Sequence, residues 1–302
     1  MHHSSRGVLG DDGSSYDRSM TIALTGTTGG IGGGVLAKLG GGHILIGRDA
    51  SKLPTGHETR QAAYGDPQMA SALEGVDTLF MVSGRESATR LDEHLAVVEA
   101  AKTAGVERIV YLSFLASAPD TIFTLGRQHW FTEEAIRASG LKFTFLRDSF
   151  YQDYLLYMVG EDGVIRGPGG SGRVSVVARD DVAEVAAEVL RSSRSGVHDG
   201  QAYDITGPEA ITLAEAAEQI SQASGVTVSY HDETEEEAYA SRAQFNAPAF
   251  EVEGWVTSYQ SFAAGEMSRV SDDVERIIGR KPITFGQYLT RNPQSYAHLV
   301  TR

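Results

Sequence analysis

The sequence predicts an α/β fold in which a doubly wound parallel sheet carries a small C-terminal α/β lobe. One observation is that, from Met20 onwards, short β-rich runs alternate with helical stretches. This alternation is typical of a parallel sheet that is covered by helices on both faces. The other is a cluster of glycines between positions 26 and 32, directly after the first strand-like run and before the first helical one.

The first half of the chain supplies most of the predicted sheet. Six runs rich in β-branched and aromatic residues predict strands at 21–25, 43–46, 61–64, 78–82, 108–112 and 142–146. Helical periodicity fills the intervals at 31–39, 68–73, 91–104 and 130–138. Each of these helices ends within two residues of a glycine, where a left-handed C-terminal cap forms most easily (Gly40, Gly75, Gly105 and Gly140).

Composition excludes several classes of protein and site. The 302 residues carry 40 Asp and Glu against 26 Lys and Arg, a formal charge of −14, and no cysteine. Disulfides, thiolate nucleophiles and Cys-ligated metals are therefore absent, and no nucleic-acid or anionic-lipid partner is expected. No apolar run reaches the roughly 18 residues of a membrane span and no signal segment opens the chain, so we expect a cytoplasmic protein.

The glycine cluster predicts a dinucleotide site in a Rossmann-like fold. Glycines at 26, 29 and 32 follow an apolar strand and open a helix, so the backbone can turn sharply and approach a pyrophosphate. Uncapped N–H groups at the helix start would then face the phosphates. The candidate cofactor-binding residues of this turn are Gly26, Thr28, Gly29, Gly30, Ile31 and Gly32.

The end of the second strand distinguishes the two nicotinamide cofactors. Arg48 lies 22 residues after Gly26, where an arginine accommodates the 2′-phosphate of NADP(H), although the adjacent Asp49 leaves NAD(H) open. Asp66, after the third strand, is the expected neighbour of the adenine. The turn Val82-Ser83-Gly84 is expected to border the ribose and nicotinamide.

These observations predict the domain organisation. Residues 1–19 are polar, Gly/Ser-rich and tag-like, and we expect them to be disordered. Residues 20–155 are expected to form the NAD(P)-binding Rossmann domain, with strands at 173–177 and 201–206 returning to it. Residues 156–302 are expected to form the smaller substrate-binding lobe.

The usual catalytic signatures are missing. None of the twelve tyrosines has a lysine four residues later, which disfavours alcohol oxidation by a Tyr-x-x-x-Lys pair. The nine histidines contain no His-Glu-x-x-His pattern, so no metal site is predicted, and no Gly-x-Ser-x-Gly elbow supports a hydrolase.

A family resemblance covers the chain from Met20 to about Asn292. The glycine turn, Arg48 and six further segments resemble the NmrA-like branch of the atypical short-chain dehydrogenases/reductases. Within that branch they resemble the type 2 NAD(P)H:quinone oxidoreductases and their triphenylmethane-reductase relatives. The six segments are Gly65-Asp66, His94 to Gly105, Tyr111-Leu-Ser113, His129 to Gly140, Phe143 to Arg147 and Ala178 to Ala183. The resemblance implies an NADPH-dependent reductase with Ser113 near the cofactor. Asp148 departs from it where Asn is expected, as does Gly84-Arg85 in a turn that is usually Ser-rich.

Reduction of a quinone or similar aromatic electrophile suits this residue set. Hydride addition to a quinone leaves an oxyanion that is delocalised into the ring, so binding and orientation can do most of the catalysis. His129, which takes the place of the Tyr/Lys pair, is the candidate proton donor or ribose ligand; a structural histidine is the alternative. An aromatic substrate would lie against Phe114, Phe150, Tyr151 and Tyr154, which could equally belong to the core.

Three questions stay open at this level. A non-catalytic NADP(H) sensor that binds a regulatory protein and a reductase of another carbonyl or isoflavone-like metabolite are both compatible with the resemblance. Homodimer formation is open as well. The aromatic residues Phe245, Phe250, Trp255 and Phe262 either close over the substrate or form the core of the lobe.

Overall fold

A computed structural model describes residues 20–300, so the expectation for residues 1–19 lies outside the described part of the chain. Eleven strands are formed within that range: β1 (Ile22–Thr25), β2 (Ile44–Gly47), β3 (Glu58–Gln61), β4 (Thr78–Val82), β5 (Arg108–Phe114), β6 (Lys142–Asp148), β7 (Val164–Gly167), β8 (Arg173–Val174), β9 (Gln201–Ile205), β10 (Ile211–Thr212) and β11 (Ser229–Asp232).

Twelve α-helices separate or follow these strands within residues 20–300: α1 (Gly30–Leu39), α2 (Met69–Ala72), α3 (Arg90–Thr103), α4 (Thr124–Ser139), α5 (Tyr154–Tyr157), α6 (Arg179–Arg191), α7 (Leu213–Ser224), α8 (Glu235–Arg242), α9 (Ala249–Ala263), α10 (Asp273–Ile278), α11 (Phe285–Arg291) and α12 (Ala297–Val300). None of the described helices is long and apolar enough to cross a membrane.

The main sheet confirms the predicted doubly wound, Rossmann-like fold. Seven strands lie in the order β3-β2-β1-β4-β5-β6-β9, and every neighbouring pair is parallel. The direction of winding reverses between β1 and β4. In open α/β sheets a crevice forms at this reversal, outside the carboxyl ends of the strands, and ligands bind there.

Helices pack on both faces of the sheet through separate apolar cores. Val35 of α1 and Val185 of α6 pack with Leu24 and other strand residues on one face. Val98 of α3 and Ile136 of α4 pack on the opposite face. Each fully buried aliphatic side chain of this kind contributes about 1.5–3 kcal/mol relative to an exposed one. A third core belongs to the smaller lobe, where α7, α9 and α11 contribute Ile220, Phe262 and Phe285.

Two predicted elements begin at other residues. The predicted third strand at 61–64 is replaced by β3, whose polar residues lie at the edge of the sheet and are mostly exposed, so they carry no apolar pattern. The helix predicted from Trp130 begins six residues earlier, at Thr124. Its first two turns contain the buried Gly126 and His129, whose small or polar side chains hide the periodicity.

The prediction that two later strands return to the main sheet is correct for only one of them. β9 pairs with β6 at the edge of the main sheet. The run predicted at 173–177 forms only the short β8, which pairs antiparallel with β10 inside the lobe. Beyond β8 the backbone N–H of Ser175 donates to the carbonyl of Met267, and Val177 forms only an isolated parallel bridge with Tyr151, just after β6.

Candidate active site

The glycine turn between β1 and α1 depends on the absence of side chains. Gly26 has φ +68°, and a Cβ there would lie 2.8 Å from Cβ of Val82 on the neighbouring β4. A Cβ on Gly32 would lie only 2.3 Å from the carbonyl oxygen of Gly26. The backbone N–H of Gly29 closes the turn by donating to that same oxygen at 2.9 Å. Side chains at these positions would force α1 away from the turn.

The start of α1 offers donors for an anionic group. Gly29 is the N-cap and provides no side-chain cap, so the first N–H groups of the helix are left for another acceptor. Thr27 is 4% exposed, and its hydroxyl has no hydrogen-bond partner among residues 20–300. An unpartnered buried hydroxyl beside uncapped N–H groups fits a dinucleotide diphosphate.

The end of β2 presents a free positive charge. Arg48 is exposed and makes no ion pair or hydrogen bond within the described residues. The neighbouring Asp49 is engaged in the following turn, where it accepts hydrogen bonds from the backbone N–H of Ser51 at 3.0 Å and from its hydroxyl at 2.6 Å. Asp66 likewise accepts from the backbone N–H of Gln68 at the start of α2. Arg48 is therefore the group left free to meet an adenosine phosphate.

A cleft of about 550 Å³ opens beyond the carboxyl ends of β4, β5 and β6, and α9 covers its far side. Seven of the predicted site residues line it, namely Ser83, Gly84, Phe114, His129, Phe150, Tyr151 and Tyr154. Ser113 does not, because it is fully buried and donates to Oε1 of Glu133 at 2.6 Å. Val82 does not line the cleft either, and its carbonyl accepts a hydrogen bond from the hydroxyl of Tyr64.

The deep wall of the cleft is aromatic. Phe114, Phe123 and Phe150 contact one another with ring centroids 5.1–5.6 Å apart. Trp255 of α9 lines the opposite side, whereas Phe262 is buried in the core of the lobe and Phe245 is largely exposed. An apolar slot with rings on two sides can hold a flat aromatic molecule.

Arg90 is a buried cation in the cleft, and no sequence motif pointed to it. It is 3% exposed, and its guanidinium donates to the carbonyl of Gly84, to Oε1 of Gln128 and to Nε2 of His129, at 2.8–3.0 Å. No carboxylate of the described chain forms an ion pair with it. Burial lowers its pKa, against the opposing charge of groups that include Glu86 of the same cleft. Its charge is therefore available to an anionic group in the cleft.

His129 lies in the cleft with both ring nitrogens engaged. An arginine can only donate, so Nε2 of His129 must accept, and Nδ1 carries the proton that is shared with Tyr111 at 3.0 Å. Burial, and then the charge of Arg90, hold the pKa of His129 well below its ordinary value. A neutral ring with both nitrogens bound inside the protein favours the structural alternative over proton donation.

The Gly84 turn is fixed from two sides. Its N–H donates to Nε2 of His94 at 2.8 Å, and its carbonyl accepts from Arg90. Burial lowers the pKa of His94 to about 3, so this ring is also neutral. A Cβ on Gly84 would lie 3.3 Å from the His94 ring, so glycine allows the turn to pack closely against it.

Arg179 joins the cleft to the glycine turn. Its Cδ lies 3.3 Å from the position of a Cβ on Gly30, at the start of α1. Its guanidinium stacks 3.8 Å above the ring of Tyr151 and forms an ion pair with Asp153 at 2.8 Å. A second cation beside the uncapped helix start strengthens the case for a diphosphate there.

No group of three His, Asp or Glu side chains with metal-site geometry occurs within residues 20–300. The chemistry that the described residues can support is therefore binding of a dinucleotide along the carboxyl edge of the sheet and of an aromatic ring in the adjoining cleft.

Comparison with known proteins agrees with this geometry. Residues 26–193 match the NAD(P)H-binding family. Quinone oxidoreductase 2 from Escherichia coli (strain K12) is 31% identical over 279 residues, which cover 88% of this chain and 96% of that protein.

Solved structures give the same result. The NADPH-dependent quinone oxidoreductase from Escherichia coli, complexed with NADPH, has a TM-score of 0.82 at 29% identity and covers 90% of this chain and 99% of its own. The triphenylmethane reductase from Citrobacter sp., complexed with NADP(H), has a TM-score of 0.79 at 30% identity and covers 90% and 99%. The chain therefore belongs to the NAD(P)H-binding family.

Proposed function

We propose that this protein is an NADPH-dependent reductase of quinones and similar flat aromatic electrophiles. The observation that carries the proposal is the position of the aromatic cleft, which adjoins the glycine turn at the carboxyl edge of the sheet. A ring held there would lie beside the nicotinamide of a dinucleotide bound at that edge. The relatives that reduce quinones and triphenylmethane dyes support the same class of acceptor.

Different residues would bind the cofactor and the acceptor. The start of α1 and Arg179 would hold the diphosphate, and Arg48 the 2′-phosphate. When bound, the reduced nicotinamide supplies a hydride. Phe114, Phe150 and Trp255 would orient the acceptor ring.

Arg90 has a separate role in this mechanism. Its buried charge would stabilise the negative charge that develops on the acceptor oxygen. His129 acts through Arg90, because the hydrogen bond between them fixes the guanidinium at the edge of the cleft.

Turnover tests the proposal directly. Purified protein with NADPH and a panel of quinones and triphenylmethane dyes is expected to lose NADPH absorbance only when an acceptor is present. Cofactor binding without turnover of any acceptor would contradict the proposal and favour the non-catalytic sensor.

Substitution of Trp255 by alanine is expected to weaken acceptor binding. The change removes one wall of the slot, and loss of a ring contact of this kind costs about 1–2 kcal/mol, so KM for the quinone should rise about 5- to 30-fold. The dissociation constant for NADPH, measured by calorimetry, should stay within about twofold of wild type. Tyr239→Ala, an exposed aromatic residue of α8 outside the cleft, is the matched control.

A further inference from the structure

One buried carboxyl group of the cleft has no role in the mechanism described so far. Asp148 is the last residue of β6, is 3% exposed and lines the cleft between the aromatic wall and Arg179. The hydroxyl of Tyr151 donates to its Oδ2, and Arg179 stacks on the ring of the same tyrosine. The carboxyl group therefore lies beside the space that an acceptor would fill.

Quinone reduction needs a proton as well as a hydride. The hydride adds two electrons and one hydrogen, which leaves a hydroquinone anion, and one further proton is needed to give the neutral hydroquinone. The ionisable groups that line the cleft besides Asp148 are Arg85, Arg90, Arg179, His129, Tyr151, Tyr154, Glu86 and Glu251.

Most of these groups are poor donors. Both nitrogens of His129 are bound inside the protein, and Tyr151 already donates its proton to Asp148. Burial raises the pKa of Tyr151 well above its ordinary value, and it raises that of Tyr154 as well. Burial raises the pKa of Glu86 as well, but its side chain is exposed, and Glu251 is only half-buried, so neither has the enclosed position of Asp148.

We propose that Asp148, as a carboxylic acid, donates the proton that completes the reduction of quinone-type acceptors. This inference rests on the proposed function. The O–H bond of the Asp148 carboxyl group breaks, a new O–H bond forms on the hydroquinone oxygen, and the negative charge moves to the Asp148 carboxylate. The carboxylate regains its proton from solvent after the product leaves.

The surroundings keep this acid protonated near neutral pH. Burial raises the pKa of Asp148 to about 7, against the opposing effects of the Tyr151 hydrogen bond and the charge of Arg179. A diphosphate at the start of α1 would offset the charge of Arg179 and favour the protonated form further. Because the acid form is the reactive one, the rate of quinone reduction should fall as the pH rises above about 7.

Two classes of acceptor separate this inference from the proposed function. A triphenylmethane dye cation becomes neutral when a hydride forms the new C–H bond, so its reduction needs no proton. At pH 6, Asp148→Asn is expected to lower the ratio of quinone rate to dye rate about 10- to 100-fold. If the ratio is unchanged in Asp148→Asn, the proposed role of Asp148 is refuted. If the wild-type protein reduces neither the quinone nor the dye, the proposed function itself is refuted.

Tyr151→Phe keeps the acid and removes its hydrogen bond. Because that bond favours the carboxylate, the alkaline fall in the quinone rate is expected to move to higher pH in this variant. If the rate of quinone reduction falls at the same pH in Tyr151→Phe, Asp148→Asn and the wild-type protein, the inference is contradicted.

Infrared spectroscopy gives a readout that does not depend on turnover. The cofactor-free wild-type protein is expected to show a protonated-carboxyl band that titrates near pH 7 and is missing in Asp148→Asn. A wild-type spectrum without such a band at pH 6 would overturn the proposal.

Discussion

Substitution of Arg48 by glutamine is expected to weaken NADPH binding about 10- to 100-fold and to leave NADH binding within about twofold. Arg48 has no partner among the described residues, so the change breaks no internal contact and removes only the group that would meet the 2′-phosphate. Hydrogen bonds to charged groups contribute about 1.5–3 kcal/mol each, and 1.4 kcal/mol corresponds to a tenfold change. Calorimetric titration with both cofactors measures the effect.

Lys52→Gln is the matched control for Arg48. Lys52 lies in the same turn, is 78% exposed and makes only a 3.6 Å ion pair with Asp49. The Lys52→Gln variant should retain the wild-type preference for NADPH over NADH. If Arg48→Gln loses affinity for NADPH and NADH equally, the arginine does not bind the 2′-phosphate.

Substitution of Gly32 by alanine is expected to reduce binding of both cofactors at least 100-fold. The new Cβ would lie 2.3 Å from the carbonyl oxygen of Gly26, so α1 must move away from the turn and its N–H groups leave the diphosphate position. Several charge-assisted hydrogen bonds are lost together, which exceeds the effect of any single side chain. Calorimetry measures the loss, and circular dichroism establishes that the variant is folded.

Gly41→Ala tests whether the effect belongs to the turn. Gly41 follows α1, and a Cβ there would have no neighbour within 4 Å, so the variant should bind both cofactors as the wild type does. Wild-type affinity in a folded Gly32→Ala protein would contradict the assignment of the glycine turn.

The positions of the proposed cofactor residues could be predicted because they are local in sequence. The glycine turn connects one strand to the next helix, and Arg48 follows the adjacent strand, so spacing alone places both at the carboxyl edge of the sheet. The structure adds that Asp49 is engaged with Ser51, which removes the competing acidic group.

The centre of the cleft could not be predicted in the same way. Arg90, Tyr111 and His129 come from α3, β5 and α4, and their hydrogen bonds join residues 18–39 positions apart. No spacing rule connects such residues. The engagement of both nitrogens of His129, which decides its role, is likewise a property of tertiary packing.

The lobe shows a second limit of sequence patterns. Aromatic residues of α9 and its approach carry the same apolar signal whether they are buried or line a cleft. Trp255 lines the cleft, Phe262 is fully buried and Phe245 is 63% exposed. Gly84 and Asp148, at which the sequence departs from the resemblance, both lie in the cleft, Gly84 in a turn packed against His94 and Asp148 as a buried acid.

Transfer of deuterium from NADPH labelled at C4 of the nicotinamide to a triphenylmethane dye tests the central claim most directly. The hydride would form a C–H bond at the central carbon of the dye, where the label does not exchange with water. Two forms of NADPH are compared, each with deuterium on one of the two faces of C4. Mass spectrometry is expected to find one deuterium per leuco dye with the form labelled on the face that donates the hydride, and none with the other form. An unlabelled product with both isotopomers would contradict direct hydride transfer in this cleft.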